Sequence, residues 1–200
     1  MARNSKSKGN RYELQIVKTL TKWWGHEFNR VPQSGGLGWE RDNRIAGDIV
    51  PGPNADFPFT VEAKHREGGW TLESIILGRH DIKNWWAQVV GDSREVDTIP
   101  LLMFTRNYAE DFIMIPYKEQ VYNDLVEEKQ PVMRAAIEYE IELTKQTELF
   151  DVLVTTQEGF MGFTPDYWRN VGLEDWDEVT RLSDDIEGVE EDINDTLDKL

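Results

Sequence analysis

The 200-residue sequence contains no cysteine and no long apolar run. Without cysteine, neither disulfides nor thiolate-bound metals can contribute to the fold. No window approaches the ~18 consecutive apolar residues that a membrane span needs, and the basic N-terminal segment lacks the apolar stretch of a secretory signal. We therefore expect a soluble, cytoplasmic protein that has no membrane partner.

Basic residues are also scarce, with 22 Lys+Arg against 38 Asp+Glu and a formal net charge of -16. Lys and Arg supply most of the non-specific affinity for nucleic acid, so this balance argues at first sight against a DNA partner. The excess acid is confined to the second half, because residues 1–90 have a net charge of +3 and residues 91–200 a net charge of -19. The run over 174–200 is typical of a solvated helix face or a tail. The first half remains compatible with DNA.

The hydrophobic pattern predicts a single α/β domain of ordinary size. Apolar residues spaced by three and four predict a helix from Tyr12 to Trp24, with Glu13 on its covered side. Residues 118–147 are charged and favour helix. The other predicted elements are strands over 26–31, 45–50 and 57–63, helices over 71–77 and 81–90, and strands over 99–105, 111–115 and 151–156.

Two carboxylates and a lysine are predicted to converge at one end of this sheet. Asp48 opens one strand and Glu62 ends the next, so antiparallel pairing would bring the two acids together. Lys64 follows two residues later and shares a strand face with Glu62. Oxygen ligands of this kind suit a hard divalent cation that activates a water and neutralises charge on a phosphate. An ordinary solvent-facing ion pair between Glu62 and Lys64 is the alternative.

The order of these elements resembles the PD-(D/E)XK nuclease superfamily, with a restriction-endonuclease-like αβββαβ core and a mixed central sheet flanked by helices. Within that superfamily, four segments are similar to archaeal-type and phage Holliday junction resolvases. They are KGNRYE (residues 8–13), RVPQSGG (residues 30–36), GDIV (residues 47–50) and VEAK (residues 61–64).

The resemblance implies roles for individual residues. Glu13, Asp48 and Glu62 match the metal-binding acids, with the Ala63 carbonyl as a further oxygen ligand, and Lys64 matches the catalytic lysine. Ser34 matches a serine near the scissile phosphate, although by itself it is an ordinary turn residue. The residues implied to contact DNA are Lys8, Arg11, Arg30, Ser34 and Gln88, of which Gln88 could equally face solvent.

The chain also departs from the resolvase pattern. Gly47 stands where the superfamily name expects proline, and the ten residues LGWERDNRIA lie between the Ser-Gly-Gly loop and Gly47. The acidic second half has no counterpart. His26, His65 and His80 lack the close spacing of zinc ligands, so no zinc site is expected. For Glu13, a first-turn acid favoured by the helix dipole is the alternative to a metal ligand.

These observations predict a flexible basic arm over 1–10, a nuclease domain over 11–165 and an acidic C-terminal extension over 166–200. The implied function is hydrolysis of DNA phosphodiester bonds with Mg²⁺ or Mn²⁺, on four-way junctions, by a homodimer in the cytoplasm, or the host cytoplasm for a phage protein. Another nuclease of the same superfamily, of restriction or general DNA-processing type, is one alternative. A non-catalytic assembly protein, whose acidic segment docks another protein, is the second alternative.

Overall fold

The computed structural model describes residues 2–31, 46–68, 71–77, 81–141 and 145–180. The Ser-Gly-Gly loop with Ser34 lies outside these ranges. None of the helices in the described ranges is long and apolar enough to cross a membrane. The elements in chain order are α1 (Ala2–Trp24), β1 (Phe28–Arg30), β2 (Ile49–Pro51), β3 (Phe59–Arg66), α2 (Leu72–Ile76), α3 (Ile82–Val96), β4 (Ile99–Arg106), β5 (Phe112–Pro116), α4 (Glu119–Glu127), β6 (Val132–Glu140), β7 (Thr147–Thr156), α5 (Gln157–Met161), α6 (Pro165–Asn170) and α7 (Trp176–Val179).

The strands form one mixed sheet in the order β1-β2-β3-β4-β5-β7-β6. Strands β3 and β4 are parallel, with Glu62 opposite Leu102, and the other neighbours are antiparallel. Strand β4 is buried along most of its length, as expected for a parallel strand covered on both faces. The fold is thus the restriction-endonuclease-like α/β architecture that the sequence predicts, with a mixed central sheet flanked by helices.

Strand β3 lies between helices α1 and α3. The His65 ring packs against the Tyr12 ring of α1, with centroids 5.8 Å apart. The preceding residue, Lys64, instead donates a hydrogen bond of 3.1 Å to Gln88 Oε1 of α3. Because successive strand residues point to opposite faces, the face with Glu62 and Lys64 is the one toward α3.

Helix α1 begins earlier than the sequence predicts. Its apolar stripe buries Ile16, Leu20 and Trp24, but the helix already starts at Ala2. The basic arm predicted over 1–10 is therefore helical over residues 2–10. The Ala, Arg and Lys residues there favour helix, and extending an existing helix avoids the cost of a new nucleus.

Along the chain, helices α2 and α3 follow β3 and precede β4. Thr71 caps α2 in a reciprocal box with Ser74, as its residue type favours. Helix α3 buries Trp85, Trp86 and other apolar residues against the sheet. Helix α3 continues to Val96, beyond the predicted limit at residue 90, and therefore includes Asp92.

The prediction that residues 118–147 favour helix is only partly correct. Helix α4 ends at Glu127, and β6 then pairs along its whole length with β7. In β6, Ile137 and Tyr139 are buried whereas Glu138 and Glu140 are exposed. This alternation is the mark of a strand with one solvated face, and pairing with β7 overrides the helix-favouring composition.

The C-terminal extension predicted over 166–200 is partly packed onto the domain. Trp168 of α6 and Trp176 of α7 are both buried in the hydrophobic core. The indole of Trp168 stacks on Phe160 at 4.0 Å between centroids, and Trp176 Nε1 donates to the Thr98 carbonyl at 3.0 Å. Residues 166–180 therefore contribute to the core, and the remainder of the predicted extension, 181–200, lies outside the described residues.

Candidate active site

Asp48 is fixed beside β3 by two hydrogen bonds. Its backbone amide donates to the Val61 carbonyl at 2.8 Å, and its Oδ2 accepts from the Ala63 amide at 3.0 Å. The preceding residue, Gly47, has φ +77°, and a Cβ there would lie 2.5 Å from the Val61 carbonyl oxygen. Glycine at this position therefore lets the turn approach β3 closely enough for the Asp48 carboxylate to reach the next strand.

Glu62 is a buried acid with only one of its two oxygens paired. Its side chain is 1% exposed, and Oε1 forms an ion pair with Lys64 Nζ. Glu62 Oε2 is buried without a hydrogen-bond partner among the described residues. A buried carboxylate oxygen without a partner is costly, so this position calls for a cation or a proton.

Folding strongly favours the protonated form of Glu62. Burial, followed by the negative charge of Asp48, raises the pKa of Glu62 from 4.5 to about 8, although Lys64 opposes the shift and Asp92 adds to it. The Asp48 carboxylate thus disfavours the ionisation of Glu62, whose side chain is buried. Such a perturbed acid is characteristic of functional sites.

Helix α3 contributes two polar residues to the same site. Gln88, which the resemblance implied as a DNA contact, accepts a hydrogen bond from Lys64. Asp92 is half-buried four residues later, and its carboxylate accepts a hydrogen bond from the Gly47 amide. Burial, then the charges of Glu95 and Asp48, raises the pKa of Asp92.

Sequence reasoning did not single out Asp92. The signal was nevertheless present, because residues four apart on a helix share a face and Asp92 follows Gln88 at that spacing. The prediction had ended α3 at residue 90.

Glu13 is buried but is paired with another residue of the first half. Its Oε2 accepts from Arg30 Nε at 2.5 Å, and the Arg30 guanidinium also donates to Asn10 at 3.2 Å. In this structure Glu13 and Arg30 therefore form an ion pair next to β1.

Three other predicted residues lie on α1 and β3. Lys8 contacts the Glu67 carboxylate, and Arg11 is exposed on α1. Ala63 is buried in β3, with its amide bonded to Asp48. Within the described ranges, no group of three or more histidine, aspartate or glutamate residues is arranged as a metal cluster. The chemistry available is therefore that of two carboxylates, Asp48 and Glu62, with a neighbouring ammonium group.

Comparisons with known proteins identify a family that this chain matches. Residues 4–170 match the model of a family described as "Phage putative PDDEXK endonuclease". The chain is also 25% identical to Protein D14 of Escherichia phage T5 over 129 residues, which cover 63% of this chain and 79% of that protein. No solved structure matches the chain. Since the family model spans the helix, the sheet and the paired carboxylates, the chain belongs to this family of phage PDDEXK endonucleases.

Proposed function

We propose that the chain is a metal-dependent DNA endonuclease whose active centre is formed by Asp48, Glu62 and Lys64. The observation that carries this proposal is the Glu62 carboxylate, which is buried beside Asp48 with Oε2 unpaired. A hard divalent cation would satisfy that oxygen and relieve the repulsion between the two acids. The residues at hand therefore fit Mg²⁺ or Mn²⁺, with Asp48 and Glu62 as ligands and the Ala63 carbonyl as a further oxygen.

The chain's own residues would divide the chemistry between them. A bound cation supplies Lewis acidity and lowers the pKa of a water molecule. Asp48 is held by the Ala63 amide, which limits its freedom to turn away from Glu62. Lys64 would direct its ammonium group to the attacking water or to the charge that develops on the phosphate, while Gln88 limits where that group can swing.

Glu13 and Ser34 belong to this proposal in a different way. Glu13 lies beside Arg30, and we propose that the pair exchanges partners when DNA arrives, so that Arg30 contacts a phosphate and Glu13 becomes available to the metal. Ser34 would approach the scissile phosphate from the Ser-Gly-Gly loop. Both roles rest on the resemblance of these motifs to resolvases.

For the substrate, we propose branched DNA, above all four-way junctions, cut by a homodimer. Support comes from the similarity of the segments around Lys8, Arg30, Asp48 and Glu62 to Holliday junction resolvases. Resolving a junction requires two symmetric cuts, which a two-fold dimer supplies. Cutting of any linear duplex, or of one sequence, would instead assign the chain to general DNA processing or to restriction.

The test is cleavage of three labelled substrates by the purified protein in Mg²⁺. We expect a four-way junction to be cut faster than a fork or a linear duplex of the same sequence. Glu62→Gln should abolish cleavage, and Glu138→Gln, an exposed glutamate on β6, should leave it unchanged. Cleavage of all three substrates at one rate would remove the junction preference, whereas cleavage that persists in Glu62→Gln would refute the proposed centre.

A further inference from the structure

Helix α1 carries a charge opposite to that of the rest of the chain. Between Ala2 and Trp24 there are six basic residues and one acid, Glu13. These residues contribute +5, so the remaining chain has a net charge of -21. The one acid of this helix is buried on its inner side, which leaves its outer side without negative charge.

Three of the basic residues share one line on the helix. Arg11, Lys18 and Lys22 stand at i, i+7 and i+11, and at about 100° per residue they fall within roughly 40° of one another around the axis. All three are exposed, whereas the opposite side buries Ile16 and Leu20 against the sheet. With a rise of about 1.5 Å per residue the line is roughly 16 Å long. We call these three residues the α1 stripe.

The three cations of the α1 stripe form no ion pair among the described residues. Other basic residues of the first half are paired, such as Lys8 with Glu67 and Arg30 with Glu13. No ion pair within the described ranges involves Arg11, Lys18 or Lys22. In a chain with such an excess of acid, three unpaired cations on one side of a helix indicate a surface that binds an anion.

We propose that the α1 stripe binds the phosphate backbone of duplex DNA, at a distance from the reacting phosphate. This inference rests on the proposed function for the identity of the ligand. Duplex DNA presents one phosphate per strand about every 3.4 Å along its axis, so the stripe spans roughly five such repeats. The contacts would be independent of sequence, because ammonium and guanidinium groups recognise the phosphates and not the base edges.

The surface chemistry favours DNA over a protein partner. A stable protein interface has an apolar centre with a polar rim, but Leu14, which is 49% exposed, is the one large apolar side chain that the described part of α1 exposes. A row of cations with one leucine does not provide such a centre. A second copy of the chain, whose charge is mostly negative, and the acidic residues of 181–200 remain the competing occupants that the experiment distinguishes.

The test is the salt dependence of duplex binding by the double variant Lys18→Gln/Lys22→Gln. Glutamine matches lysine in helix propensity, so the variant should fold normally. Binding of a linear duplex to the full chain would be followed by fluorescence anisotropy in excess chelator, between about 50 and 200 mM salt. Each phosphate contact contributes about 0.9 to the slope of log K against log salt, so the magnitude of the slope should fall by about 2.

The matched control is Lys129→Gln/Lys145→Gln, which changes the net charge equally on exposed positions remote from α1 in sequence. We expect this control to keep the wild-type slope. An equal loss of slope in both double variants would reduce the effect to net charge and overturn the proposal. A changed molecular mass by light scattering with an unchanged slope would identify a second copy as the occupant.

Two further measurements complete the design. If deleting residues 181–200 lets the Lys18→Gln/Lys22→Gln variant bind as tightly as the equally truncated wild type, the occupant is the acidic segment and the proposal fails. Cleavage by wild-type protein in Mg²⁺ is recorded separately. Duplex binding with the expected slope change but without cleavage would refute the proposed nuclease activity. It would still support the α1 stripe as a DNA-binding surface.

Discussion

Replacing Glu62 with glutamine should make the protein more stable at high pH while removing its function. Folding raises the pKa of Glu62 from 4.5 to about 8, chiefly through burial and secondarily through Asp48. Since one pKa unit corresponds to about 1.4 kcal/mol, the shift corresponds to at most roughly 5 kcal/mol of unfolding free energy. Entry of water into the site would reduce that figure.

The sign of this stability change follows because folding favours the protonated form of Glu62. Below pH 4.5 the neutral Glu62 contributes its full stabilisation, and this contribution is lost as the pH rises through about 8. Glutamine keeps the volume and an oxygen for Lys64 but cannot ionise. Glu62→Gln should therefore match the wild type near pH 4 and exceed its unfolding free energy increasingly up to pH 9.

The assay is denaturant unfolding at pH 5, 7 and 9, in chelator and again in Mg²⁺. In chelator, the difference between variant and wild type should grow by several kcal/mol across this range. Mg²⁺ should stabilise the wild type more at pH 9 than at pH 5, because the ion binds the ionised carboxylate, and it should stabilise Glu62→Gln much less. The exposed Glu138→Gln variant serves as the control. Parallel pH profiles for Glu62→Gln and wild type would refute the reasoning.

Three other predictions concern the same site and the C-terminal segment. Lys64→Ala should reduce cleavage by at least about 100-fold yet retain duplex binding, because the ammonium group acts mainly in the transition state; equal losses in cleavage and in affinity would make it a binding residue. Asp92→Asn should lower the pKa of Glu62, which carbon-detected NMR titration of the carboxyl would reveal, and an unmoved titration would show that Asp92 does not influence the site. Deleting residues 181–200 removes eight acidic and two basic residues. The deletion should tighten non-specific DNA binding at 0.01 M salt more than at 0.15 M, where the Debye length is only about 8 Å. Equal affinities of the deleted and full-length proteins at both salt concentrations would contradict this prediction. A deletion from residue 174 would also remove the buried Trp176 and should lower the melting temperature, so it is the less informative truncation.

The relation between Glu62 and Lys64 was predictable because it depends on local geometry alone. Two residues apart on a strand must share a face, and the structure pairs them. Gln88, which only the resemblance implied, lies next to Lys64. Local periodicity therefore predicts much of the fold and the shared face of Glu62 and Lys64.

What the sequence could not supply is the choice among long-range partners. The resemblance implied a metal-binding role for Glu13, but its ion pair with Arg30, 17 residues away along the chain, follows from no periodicity. Strand β6 has a composition that favours helix, and its state is decided by pairing with β7. These outcomes depend on which elements meet in space, and a single sequence does not encode that in its local pattern.

The glycine before Asp48 limits how this protein can be redesigned toward its superfamily's consensus. Proline would fix φ near -65°, whereas position 47 has φ +77°, and its amide donates to Asp92. A Gly47→Pro substitution would thus turn the backbone away from β3 and remove the amide hydrogen at position 47. Sequence libraries and search patterns built on the literal dipeptide would discard the residue on which the Asp48 turn depends.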